Sequence, residues 1–160
     1  MAKTSPDITV TVLGSGTCVP SLERGSCSVL VETGGRKWLI DSGAGTLRRL
    51  LEAGTTITEL SYLFYSHLHP DHTADLVPLL FATKYPDGVT RREALTIVAG
   101  QGFADFFRRL KSAYGNWIEL GDDMLRIIEM SASAGDHVQL SGGDIHTAPV
   151  WLEAGRSYPI

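Results

Sequence analysis

The chain has 160 residues, of which 43% are hydrophobic and 20% charged, the proportions of one ordinary globular domain able to bury a core. Its net charge of -4 and pI near 5.7 give no overall attraction to nucleic acid, and no apolar stretch is long enough to span a bilayer. The opening "MAKTSPDITV" has no apolar signal core, so the reading is a cytoplasmic protein, and two cysteines, Cys18 and Cys27, are too few for a disulfide framework. Each is read as a small, reduced, partly buried residue.

In chain order, "ITVTVLGSG" alternates Ile8, Val10 and Val12 with Thr9 and Thr11, which is strand periodicity. "SCSVLVET" and "RKWLIDSG" are two further strands, joined as a hairpin at Gly34–Gly35. The period then changes. "GTLRRLLEAG" predicts a helix with Leu47, Leu50 and Leu51 on one face and Gly54 as its stop. "LSYLFYS" is a short buried strand. "DHTADLVPLLFATKY" predicts one helix, with Leu76, Leu79 and Leu80 inward and Pro78 in its first turn or at a kink. "ALTIVAG" is a strand, and "GFADFFRRLKSAYG" an amphipathic helix with Phe103, Phe106, Phe107 and Leu110 together. From Trp117 onward the chain reads as short strands with Gly and Asp turns. Hairpins first, then strands alternating with helices, predict a layered α/β fold with a mixed sheet.

The densest chemistry is His67-Leu-His69-Pro-Asp71-His72, directly behind "LSYLFYS". In an extended backbone His67 and His69 point to the same side, so both imidazoles can share one ion. Asp71 and His72 follow the turn at Pro70 and can supply a second. Imidazole with carboxylate suits Zn, with Fe or Mn as alternatives. Two such ions roughly 3.5–4 Å apart activate a water and polarise a phosphoryl or carbonyl oxygen. A lone histidine would read as a polar loop residue; four potential ligands within six positions do not.

"SHLHPDH" resembles the H-x-H-x-D-H signature of the metallo-β-lactamase superfamily. The resemblance implies an αβ/βα sandwich with a dinuclear zinc site at one edge. It implies that His67 and His69 bind the first metal and that Asp71 and His72 bind the second. Asp71 would also orient or deprotonate the attacking water. "LIDSG" resembles the superfamily's earlier Asp motif, in which Asp41 stands behind the ligands and holds the metal loop. The opening "LGSGTCVPSLER", through Leu13, Gly14, Ser15, Gly16, Pro20, Ser21 and Arg24, is similar to that of ribonuclease Z, which trims tRNA 3′ ends. That implies a phosphodiesterase or endoribonuclease acting on RNA, with lactonases and thiolesterases as other branches on the same site. The Gly14-Ser15-Gly16 loop is read as a phosphate or substrate loop through its backbone N–H groups, or as a plain turn.

The resemblance covers roughly residues 8–150. No basic arm for gripping tRNA is evident, and Arg91–Arg92 and Arg108-Arg109-Lys111 read as solvated charge. The family's third His is expected near residues 151 and 152, where Trp151 and Leu152 stand. His146 lies roughly 20 Å earlier along an extended strand, and His137 reads as a turn residue. The expectation is therefore a single domain, residues 1–160, truncated at its C-terminus and holding only the first half to two-thirds of the sandwich. Its uncovered sheet would invite a homodimer or another chain, and an incomplete site would leave an association module without turnover.

Overall fold

Three leucines and an isoleucine, Leu30, Leu39, Leu63 and Ile97, stand side by side on four adjacent strands, each no more than 1% exposed. They mark the inner face of a six-stranded sheet in a computed structural model that describes residues 7–131, 135–141 and 143–146. The strands are β1 (Ile8–Gly14), β2 (Ser28–Thr33), β3 (Arg36–Ile40), β4 (Leu60–Tyr65), β5 (Leu95–Gly100) and β6 (Leu125–Met130), in that spatial order. A separate antiparallel pair, β7 (His137–Leu140) and β8 (Gly143–His146), follows. The mixed α/β class read from the sequence is thus the one observed.

β1, β2 and β3 pair antiparallel, and β3, β4, β5 and β6 pair parallel. The β2–β3 turn is made at Gly34 and Gly35, with φ of 56° and 72°. A two-residue hairpin turn of the favoured hand needs positive φ at both positions, which glycine alone adopts at no steric cost. The parallel strands need crossovers, and helices provide them. These are α1 (Thr46–Glu52) between β3 and β4, then α2 (Pro70–Thr73) and α3 (Leu76–Lys84) between β4 and β5, and α4 (Phe103–Tyr114) between β5 and β6.

All four helices follow strands of the parallel half, and they cover the leucine face. Leu50, Leu76, Leu79, Leu80, Phe103 and Phe107 join the sheet residues in one buried cluster. Each large apolar side chain removed from water in this way contributes about 1.5–3 kcal/mol. Phe106 and Leu110 pack at its margin, as the helical spacing in α4 predicts.

Two expectations are corrected. The single helix over 71–85 is two, because the chain turns at Ala74 before Asp75 caps α3; Pro78 then falls in the first turn of α3 and costs it little. Leu51 is 63% exposed rather than inward. The buried stripe of α1 runs through Thr46 and Leu50, four residues apart, and Leu51 lies one residue, about 100°, further round the helix.

The opposite sheet face is also apolar. Trp38, Tyr62 and Phe64 form an aromatic row there, with Trp38 stacked on Phe64 at 5.4 Å and tilted against Tyr62 at 4.8 Å. The β7–β8 hairpin leans on this row: Ser141 bonds the Tyr62 hydroxyl at 3.1 Å, and Gly143 packs closely on the Trp38 ring, where a β-carbon would lie 3.2 Å from its edge. Toward the β1 edge, Ile8, Val10 and Val12 are 60–67% exposed. His137 is a strand residue, not a turn residue. It faces His146 across the hairpin with the rings stacked at 5.8 Å. Trp151 and Leu152 lie outside the described residues.

The packing makes a paired prediction. Leu63→Ala, at 0% exposure under the helices, is expected to lose about 2–5 kcal/mol in urea unfolding. Leu51→Ala is expected to stay within about 0.5 kcal/mol. Equal losses would contradict the assignment of the inner face.

Candidate metal centre

The parallel register places the polar cluster. Ile40 pairs with Phe64, so the loops leaving β3 and β4 rise side by side at the carboxyl ends of the strands. Asp41 opens the first loop, and Ser66 through His72 form the second. β2 runs antiparallel to β3, so the residues just before β2, ending in Cys27, reach the same edge. β1 ends there too, at Gly14 opposite Ser28.

Asp41 organises this edge. It is 3% exposed and has a φ of 58°, a left-handed conformation that no other non-glycine among the described residues adopts. L-residues enter that region at a cost, and they persist there where the surroundings fix them. Here the Asp41 N–H donates to the Phe64 carbonyl at 2.7 Å. Its Oδ1 accepts the Ser66 N–H at 2.9 Å, and Oδ2 accepts the Ser66 hydroxyl at 2.7 Å. Oδ2 also lies 2.8 Å from His72 Nδ1. A carboxylate only accepts, so this contact sets the His72 proton on Nδ1 and leaves Nε2 as a free donor atom for an ion.

The His67–His72 loop itself follows from local rules. β4 ends at Tyr65, and His67 through His69 stay outside regular structure. His69 is extended, with ψ of 151°, and caps α2, while Pro70 takes the first helical position. Proline is suited to that position because its missing N–H has no partner to lose. The His72 N–H then returns to the His69 carbonyl at 3.0 Å, and Thr73 Oγ1 donates to the same oxygen at 3.1 Å. This first turn folds the chain back on itself. His67 lies 4.6 Å from His69 between ring centres, as the extended spacing predicts, and only 3.9 Å from His72. Asp71 Oδ2 lies 3.7 Å from His72 Nε2. His67 and His69 are exposed; Asp71 and His72 are half-buried.

Behind the loop the backbone is pinned. Ser42 N–H donates to the His72 carbonyl at 2.7 Å, and Asp75 N–H donates to the Ser42 carbonyl at 2.8 Å. The buried Ser42 and Tyr65 hydroxyls meet at 2.6 Å. Burial drives the Tyr65 phenol above its usual range, so it stays neutral in this contact. A β-carbon on Gly43 would stand 2.1 Å from the Asp71 carbonyl and 2.5 Å from Ser26 Cβ, so only glycine allows the three segments to meet. Asp75 Oδ2 accepts the Leu47 N–H at 2.9 Å and ties α1 to α3. The sequence reading missed Asp75; its place just before the Leu76 helix was the available signal.

Gly14 and Gly16 likewise serve close approach. A β-carbon on Gly14 would lie 1.9 Å from the Ser26 carbonyl, and one on Gly16 would lie 2.8 Å from that of Gly25. The Gly16 N–H, expected to be free for a phosphate, is bonded to the Gly25 carbonyl at 2.7 Å. Ser15 is exposed between them. Away from this edge, Arg108 and Arg109 pair with Asp105, Lys111 pairs with Glu119, and Arg91 is buried against the Ile57 and Leu60 carbonyls. Arg91 is therefore buried and not the solvated charge read from the sequence, while Arg108, Arg109 and Lys111 each pair with a carboxylate.

The sequence reading also passed over Cys27. Among the described residues, one group of three possible donors has its ligand atoms all within 4.8 Å of one another: Cys27, Asp41 and His72. Burial first, then the Asp41 and Asp71 carboxylates, raise the Cys27 thiol above its ordinary value. The hairpin turn could have revealed this neighbour. Paired positions across Gly34–Gly35 sum to 69 (33 + 36), so Cys27 falls opposite Ser42 (27 + 42).

A sequence profile described as the Metallo-beta-lactamase superfamily matches residues 22–138. A protein named Ribonuclease Z from Mycobacterium sp. (strain KMS) is 39% identical over 108 residues, which are 68% of this chain and 38% of that relative. Another Ribonuclease Z, from Methanopyrus kandleri, is 44% identical over 73 residues, 46% of this chain and 26% of the relative. This chain therefore spans well under half the length of these relatives. Among solved structures, the short form of human tRNase Z superposes with a TM-score of 0.63 at 29% identity, covering 76% of this chain and 44% of that one. The profile match takes in β2 through the start of β7, including Asp41 and the whole His67–His72 loop, and on that match the chain belongs to the metallo-beta-lactamase superfamily.

Proposed function

We propose that this chain carries metal-binding residues of a zinc-dependent hydrolase of ribonuclease Z type, cleaving phosphodiester bonds in RNA. The observation that supports it most is the convergence of His67, His69, Asp71 and His72 in one loop, with His72 oriented by Asp41. The donor set fits zinc: imidazole nitrogens and a carboxylate, with Nε2 of His72 left available by the Asp41 contact. The names of the relatives support the phosphodiester branch over lactonase or thiolesterase chemistry.

When bound, a pair of divalent ions supplies an activated water and charge stabilisation at a phosphoryl oxygen. This chain's residues prepare that chemistry. His67 and His69 present adjacent rings at the open end of β4. Ser66 Oγ lies 3.0 Å from His67 Nδ1, which directs the other ring nitrogen, Nε2, outward. The half-buried Asp71 carboxylate lies beside His72 Nε2, where it can accept a proton from an attacking water. Asp41 holds the loop without needing to touch substrate. Ser15, exposed on the neighbouring loop, is the residue there best placed to meet a substrate phosphate.

The test uses the full chain with added zinc, comparing bis(p-nitrophenyl) phosphate with p-nitrophenyl acetate. Zinc-dependent cleavage of the phosphodiester is expected, falling about 10²-fold or more in Asp71→Ala and vanishing in His67→Ala. Faster cleavage of the ester, or phosphodiester turnover that survives both substitutions, would overturn the reading.

A second prediction concerns the pinned backbone. Gly43→Ala must push the Asp71 carbonyl away from a contact of 2.1 Å. A displacement of that size at catalytic groups is expected to lower kcat/KM about 10²-fold. Gly100→Ala, where a β-carbon meets nothing within 4 Å, is the control and should leave turnover unchanged.

A further inference from the structure

We propose that Cys27 is a metal ligand of this centre, giving the ion held by His72 a sulfur donor beside nitrogen and oxygen. The inference rests on the metal-binding reading above and adds a residue outside its H-x-H-x-D-H set. Its basis is distance: a Cys27 sulfur, an Asp41 oxygen and a His72 ring nitrogen lie within 4.8 Å of one another. Asp41 already accepts from Ser66 and His72 Nδ1 and orients the site, while the nearby sulfur needs a side-chain rotation to join an ion on His72 Nε2 at the roughly 2.0–2.3 Å bonds of zinc.

The position of Cys27 is built into the fold. The backbone just before it is pressed from both sides, by Gly14 against the Ser26 carbonyl and by Gly43 against Ser26 Cβ. The Gly16–Gly25 hydrogen bond closes the loop that precedes it. Cys27 is half-buried, whereas Cys18, in the same loop, is exposed. The thiol is therefore held at the metal edge by glycine-dependent packing of three segments.

The surroundings favour a cation over a bare thiol. Two carboxylates, Asp41 and Asp71, act on the sulfur, and one of them, Asp41, has an oxygen within 4.8 Å of it. On ligation the S–H bond breaks, its proton passes to solvent, and the sulfur lone pair forms the metal bond. No oxidant or reductant is involved. A thiolate in the set would also bias the centre toward zinc or cadmium and away from manganese, which prefers oxygen ligands.

Cobalt(II) titration of the full chain, followed by absorption, tests the proposal. Sulfur ligation gives a near-ultraviolet sulfur-to-cobalt charge-transfer band, whereas histidine and carboxylate ligation gives visible d–d bands alone. Wild type is expected to show both. Cys27→Ser should lose the near-ultraviolet band and keep the visible ones, with an unchanged circular dichroism spectrum. Cys18→Ser should keep both. Visible bands without the charge-transfer band in wild type, or a charge-transfer band that survives Cys27→Ser, would overturn the ligand assignment while leaving the metal site standing. A wild-type chain that binds no cobalt would overturn both.

Discussion

The carboxylate of Asp41 holds two loops in one geometry. It receives the Ser66 N–H, the Ser66 hydroxyl and the His72 ring, while its own N–H is tied to β4. Those contacts keep a non-glycine residue at a φ of 58°, offsetting a backbone conformation that costs about 1–3 kcal/mol. Alanine there would remove the acceptor of the part-buried Ser66 N–H and the short contact to His72 Nδ1, and keep the unfavourable backbone. The ring orientation of His72 follows from this one side chain.

The sheet explains why Asp41 can reach its partners. Two parallel strands, β3 and β4, send their loops out at the same end. The antiparallel β2 returns its beginning to that end, and β1 finishes there. Four chain segments therefore meet at one edge, and three glycines, Gly14, Gly16 and Gly43, remove the side chains that would hold them apart. The buried leucine face holds the core along the helix-covered face of the same strands. Stability and the site thus occupy different parts of one sheet, the core along its helix-covered face and the chemistry along its carboxyl edge.

Much of this was legible in the residues. Strand alternation, the Gly34–Gly35 hairpin and the Phe103–Leu110 spacing identify elements that the structure contains, because each depends on local periodicity or turn chemistry. The H-x-H-x-D-H run is equally local, and the side-by-side placement of His67 and His69 follows from a period of two. What escaped depends on register between segments distant in sequence. Cys27 reads as an ordinary buried thiol until the hairpin sets it beside Asp41. Gly16 reads as a donor loop until Gly25 takes its N–H. Leu51 reads as core until the fold chooses Thr46 and Leu50 as the buried stripe of α1. His137 reads as a turn residue until its pairing with His146 makes it a strand.

The most direct test of the account is the zinc content of the purified full chain after dialysis, wild type beside Asp41→Asn. The account predicts that wild type retains about one to two ions per chain, the range of a two-metal site. It predicts that Asp41→Asn, still folded, loses most of them as the support for His72 weakens. Wild-type protein that keeps no zinc, or an Asp41→Asn variant that keeps as much as wild type, would contradict the claim that Asp41 organises this loop as a metal centre.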